Sequence, residues 1–137
     1  MRKREIIWYF FLYFPMYAKY SIARKFGQKG GVEDISVQEA KEEYDRANLI
    51  ILDLRFKETY DKGHIEGSIN LEAQDVKKNL ALLPRDKTIA VMCWGGGLSQ
   101  AVTKMLLKKG FTNARNLKGG MTSWALEVDS ELKDYIW

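Results

Sequence analysis

At 137 residues the chain has the length of one domain with a core of its own. Its formal net charge of +4 is unevenly spread: residues 1–31 hold seven Lys or Arg and one acid, and residues 32–137 hold fifteen against seventeen, so the main body has no basic excess with which to hold nucleic acid. One Cys and one His exclude an internal disulfide, a thiolate-rich metal site and a His-based metal cluster, and with no Walker loop or dinucleotide fingerprint present, neither a metal nor a cofactor is expected.

Residues 6–18 are uncharged and mostly apolar, with Arg2, Lys3 and Arg4 before them and Lys19, Arg24, Lys25 and Lys29 after. A helix of that length reaches about 20 Å, short of the roughly 30 Å hydrocarbon core of a bilayer. Seven of its residues are Trp, Tyr or Phe, which favour the membrane interface, and Pro15 ends or kinks a helix. These features predict an anchor held at a membrane surface next to anionic lipid, with the folded part in the cytoplasm. The alternatives are a cleaved leader, for which Ser21-Ile22-Ala23 resembles a small-x-small site, and an extra apolar helix folded back on the domain. Gly27 to Gly31 reads as a linker. The chain thus divides into a basic, hydrophobic segment at 1–31 and a domain at 32–137, whose fold begins near Ile35.

Ser36-Val37-Gln38-Glu39 is a capping-box pattern that starts a helix, and Ala40, Tyr44 and Ala47 repeat at the spacing of one buried face. Leu49 to Leu54 is a continuous apolar strand of the kind found in parallel sheets, with Asp53, Arg55 and Glu58 clustered at its end. Gly63-His64-Ile65-Glu66-Gly67 is a loop before a short strand at 68–71. Val76, Leu80 and Leu83 mark a helix stopped by Pro84. Thr88-Ile89-Ala90-Val91-Met92 is a buried strand; Val102, Met105 and Leu106 give the inner face of the helix that follows, and Gly110 sits where a helix-ending glycine belongs. Residues 113–117 form a last short strand, and after Gly119-Gly120 a final helix carries Trp124 and Leu126. Strands alternating with helices predict an α/β domain with a mainly parallel sheet flanked by helices, binding its ligand beyond the carboxyl ends of the strands.

The chemistry-bearing stretch is Cys93-Trp94-Gly95-Gly96-Gly97-Leu98-Ser99-Gln100, at the end of one such strand and the start of a helix. Three glycines let the backbone bend and turn several N–H groups toward one point, and the helix start adds partial positive charge there. A thiolate is stabilised in that setting. Inward-facing N–H groups of residues 94–99 are expected to cradle an anionic sulfur as an oxyanion hole cradles oxygen.

Taken in order, these motifs resemble the rhodanese family of sulfurtransferases, over residues 35–126. Asp53-Leu54-Arg55 with Tyr60 and the run Gly63 to Asn70 is similar to the family's first signature. Cys93 with Gly96 and Ser99 is similar to its active-site loop. Gly110-Phe111 and Leu117-Lys118-Gly119-Gly120-Met121-Thr122-Ser123-Trp124 are similar to its closing signature. The resemblance implies a rhodanese-like fold and transfer of sulfane sulfur through a persulfide on Cys93. By the same resemblance the donor is expected to be thiosulfate or a persulfide, the acceptor a thiol or cyanide, and the donor-binding residues Trp94, Gly95, Gly96, Gly97, Leu98, Ser99 and Arg55. With a single cysteine there is no resolving thiol, so the acceptor comes from outside.

Two positions depart from that pattern. Leu98 stands where many single-domain members have Arg, Ser or Thr, and Thr59 replaces the acidic residue before the tyrosine of the first signature, leaving Glu58 as a partner for Arg55. Arg55 itself either binds an anionic donor or pairs with a carboxylate; Trp94 either walls the pocket or covers the core; His64 is read as structural. A non-catalytic, membrane-tethered interaction or regulatory module is the alternative function. A phosphatase on the same fold is disfavoured, because residues 94–100 contain no Arg to bind phosphate oxygens.

Overall fold

The computed structural model describes residues 31–137; the predicted anchor at residues 6–18 lies outside the described residues. Five parallel strands, β1 (Asp34–Ile35), β2 (Leu49–Asp53), β3 (Ile69–Asn70), β4 (Thr88–Met92) and β5 (Ala114–Leu117), form one sheet in the order β1-β5-β4-β2-β3. The helices are α1 (Val37–Asp45), α2 (Lys57–Lys62), α3 (Ala73–Val76), α4 (Gly97–Lys108) and α5 (Gly120–Glu127). Short 3-10 turns cover Leu80–Leu82 and Ser130–Tyr135.

The central strands are apolar on both faces because each face is covered. Leu49 and Ile51 of β2 and Ala90 and Met92 of β4 pack with Val37 and Ala40 of α1 and Met121, Trp124 and Ala125 of α5. Leu52, Ile89 and Val91 point the other way, against Val76 of α3 and Val102 and Leu106 of α4. Burying each such Leu or Ile contributes about 1.5–3 kcal/mol. The register runs from Leu49 opposite Thr88 to Asp53 opposite Met92, so β2 and β4 end level. Strand order reverses between them: β3 lies beyond β2 on one side and β5 beyond β4 on the other. Sheets of this kind leave their binding crevice at that reversal, and Arg55 and Cys93 follow the two strands that border it.

Three local expectations are corrected. Ser36 caps α1 as anticipated, its Oγ accepting from the Glu39 N–H at 3.1 Å, but Ala47 is exposed and lies past the helix end with φ at 60°. There the Ala47 N–H donates to Tyr44 O at 3.0 Å and the Asn48 N–H to Glu43 O at 2.9 Å, the paired bonds of a Schellman ending. The helix drawn through Val76, Leu80 and Leu83 is interrupted at Asn79. Its side-chain amide donates to Asp75 O at 2.7 Å, the carbonyl its own backbone N–H would use in a helix, and that N–H turns to Val76 O at 3.0 Å instead. Third, β1 is a two-residue edge strand against β5, where only the start of the domain was anticipated.

Candidate active site

Cys93 is the first residue after β4 and is 3 % exposed. The Gly96 N–H donates to its Sγ at 3.1 Å. That contact needs the backbone to double back within three residues, and Gly96 does so with φ at 102°, where L side chains are strained. The chain then enters α4 at Gly97, so the positive end of a three-turn helix lies beside the sulfur.

The loop is held from behind by α5. The first amides of a helix have no acceptor inside it, and here Met121 N–H donates to Cys93 O at 2.8 Å and Thr122 N–H to Trp94 O at 3.1 Å. Thr122 Oγ1 adds a bond to Trp94 O at 2.9 Å. Gly120, with φ at 58°, permits this approach: a Cβ there would fall on the Cys93 carbonyl oxygen and lie 2.8 Å from that of Trp94. The Gly119-Gly120 pair of the closing signature is therefore part of the mounting of the cysteine loop.

Beside the sulfur runs a polar chain. Ser99 Oγ lies 3.4 Å from Cys93 Sγ, placed to accept the thiol proton. The Ser99 hydroxyl donates to Asn116 Oδ1 at 2.5 Å, and Asn116 Nδ2 donates to Asp34 Oδ1 at 2.9 Å. Ser99 and Asn116 are completely buried, and a buried polar group without a partner is costly. Asn116 and Asp34 were missed in the sequence: they belong to strands too short to show a pattern, and neither lies near Cys93 along the chain.

The other named residues divide into those near the sulfur and those that brace the scaffold. Gly95 is exposed, Gly97 is buried, and Leu98 is half-buried, packed against the same cluster as Cys93 and Trp94. Trp94 is 3 % exposed, belongs to that core cluster and meets Phe56 edge-on at 5.3 Å between ring centres. Arg55 is in an ion pair. Its Nη2 lies 2.8 Å from Asp53 Oδ2, its Nε donates to the same carboxylate, and both side chains are fully buried. Its remaining bonds run from Nη1 to Tyr135 O at 2.5 Å and from Nη2 to Gly63 O at 2.9 Å. Glu58 is exposed and is not the partner that Arg55 was expected to take. His64 stacks on the Tyr60 ring at 3.8 Å, with Nδ1 2.7 Å from Tyr60 O, as befits a structural residue. Asn70 Nδ2 donates to Asp53 O and Arg55 O at 3.0 and 2.9 Å, so the first signature braces the end of β2.

Comparison with known proteins agrees with this architecture. The rhodanese-like domain family model matches residues 36–127. The chain is 30% identical over 90 residues to the thiosulfate sulfurtransferase GlpE of Pseudoalteromonas translucida, covering 66% of this chain and 86% of that protein. A rhodanese-related protein from Thermoplasma volcanium superposes with a TM-score of 0.63 at 28% identity, over 70% of this chain and 93% of that one. An NAD-dependent persulfide reductase from A. fulgidus does so with a TM-score of 0.59 at 30% identity, over 78% of this chain but only 18% of that larger protein. With the cysteine loop at the end of β4 and the paired glycines that mount it both inside the matched region, the chain belongs to the rhodanese-like domain family.

Proposed function

We propose that the chain is a sulfurtransferase carrying sulfane sulfur on Cys93. The thiolate attacks the outer sulfur of thiosulfate or of a persulfide. An S–S bond forms to Sγ as the donor's S–S bond breaks, and sulfite or a thiolate leaves with the electron pair. The Cys93 persulfide is itself an anion. An external thiolate or cyanide then attacks its outer sulfur and returns Cys93 to its starting state. The observation that carries this reading is the Gly96 N–H directed at Sγ at 3.1 Å beside the start of α4, a backbone donor aimed at the reacting sulfur as amides are aimed at an oxyanion. The family membership and the likeness to a thiosulfate sulfurtransferase support it.

Incubating the protein with thiosulfate or glutathione persulfide should add the mass of one sulfur atom, read by intact-mass spectrometry, and Cys93→Ser should keep the fold and lose the addition. Sulfur transfer to cyanide by the serine variant would refute the assignment. Residues 6–18 act in this proposal as an anchor at a membrane surface. The full chain should then pellet with membranes, while a version starting at Gly31 stays in the supernatant; full-length protein in the supernatant would sink the anchor.

A further inference from the structure

Three aromatic rings meet beside the cysteine loop, and one comes from beyond the family match. Past α5 the chain winds through the turn at Ser130–Tyr135, buries Ile136 in the same core cluster as Trp124, and lays Trp137 nearly parallel to Trp94, ring centres 6.5 Å apart and planes 12° off parallel. Phe56 meets Trp94 edge-on, ring centres 5.3 Å apart.

This placement is clamped. Tyr135 O accepts from buried Arg55, and the Tyr135 ring sits on Gly63 so closely that any Cβ there would collide with it. Ile136 is 8 % exposed, whereas Trp137 is 40 % exposed, so a fixed backbone delivers a partly open ring to the residue next to Cys93. Leu98 adds an aliphatic surface to the core cluster that holds Cys93 and Trp94. Residues 94–100 bring no charged side chain, and the Arg55 guanidinium is engaged by Asp53.

We infer that Trp137, seated on Trp94, selects the sulfur donor, favouring a singly charged donor with a flat hydrocarbon group next to the departing sulfur over the thiosulfate dianion. This rests on the Cys93 persulfide reading. An aromatic group gains from contact with an indole face or edge, whereas a dianion loses water at an apolar wall and residues 94–100 offer it no charged side chain in return.

Three donors separate charge from ring: thiosulfate, methanethiosulfonate and benzenethiosulfonate. With either thiosulfonate, the Cys93 thiolate attacks the outer sulfur, the bond to Sγ forms as the donor's S–S bond breaks, and the sulfinate leaves with the electron pair, so charge balances without an outside oxidant. Thiocyanate formation from cyanide is followed with the full chain. The kcat/KM for benzenethiosulfonate should exceed that for methanethiosulfonate by about two- to tenfold, the size of one aromatic contact. Trp137→Ala should bring that ratio close to one, and Trp137→Phe should retain most of it. An unchanged ratio in Trp137→Ala, or an equal loss with all three donors, would overturn the inference; should the alanine variant fail to fold, Trp137→Leu and Trp137→Phe read the same ratio. Absence of sulfur on Cys93 with every donor, by intact mass, refutes the persulfide reading itself. Loading that ignores residue 137 refutes only the selection.

Discussion

Leu98 offers an incoming anion neither charge nor hydroxyl at a half-buried position beside Cys93. Leu98→Arg should raise kcat/KM for thiosulfate by about tenfold, since a charge-assisted bond to a doubly charged donor contributes on that order. An unchanged steady-state rate would show that backbone amides handle the donor alone. Arg55 makes the opposite case. Its guanidinium and the Asp53 carboxylate are both fully buried, so Arg55→Ala leaves a buried charge unpaired and should lower the free energy of unfolding by about 3–5 kcal/mol, measured by urea titration. A variant that kept its stability and lost only affinity for thiosulfate would instead assign Arg55 to donor binding.

At the scale of elements, two helices end in the same way with different residues. Gly110 closes α4 with φ at 90°, donating to Leu107 O while Phe111 donates to Leu106 O; Ala47 closes α1 with the same pair of bonds and φ at 60°. A left-handed alanine is strained by about 1–2 kcal/mol, so Ala47→Gly should raise stability by roughly 1 kcal/mol, seen as a higher urea midpoint at an unchanged slope. The cysteine loop tolerates no such exchange. Gly96 has φ at 102° and a Cβ there would lie 3.3 Å from Gly119 N, so Gly96→Val should abolish sulfur loading while the far-UV spectrum stays folded. Normal loading by a folded valine variant would remove the role given to the Gly96 amide. These elements were legible wherever burial imposes a pattern. The runs of β2 and β4, the Ser36 cap and the glycine at 110 all announce themselves within a few neighbouring residues. What stayed hidden depends on distant partners: the Asn79 side chain competing with its own backbone, a β1 too short for any periodicity, and Tyr135, which meets Arg55 across 80 positions of chain. In the site, Cys93 and its glycines were visible, whereas Asn116 and Asp34 become neighbours of Ser99 only once β5 is paired.

For the whole molecule, the parallel sheet brings the ends of β2 and β4 to one edge, and the segment after α5 crosses that edge to reach Arg55 and Trp94. The candidate site and the bracing of the core are thus concentrated in one region. The carbonyls of Cys93 and Trp94 are held by the first amides of α5, while α4 begins only a few residues later. The cysteine turn is therefore a joint shared by helices on opposite faces of the sheet, and it cannot loosen without releasing both. Domains of this size commonly unfold in one step. Residual sulfur transfer and ellipticity should accordingly fall along a single curve on heating; activity vanishing several degrees before the helices melt would show that the joint opens by itself. Where the two curves coincide, loss of activity and denaturation are one event, and a preparation that has kept its secondary structure through storage has kept its cysteine turn as well.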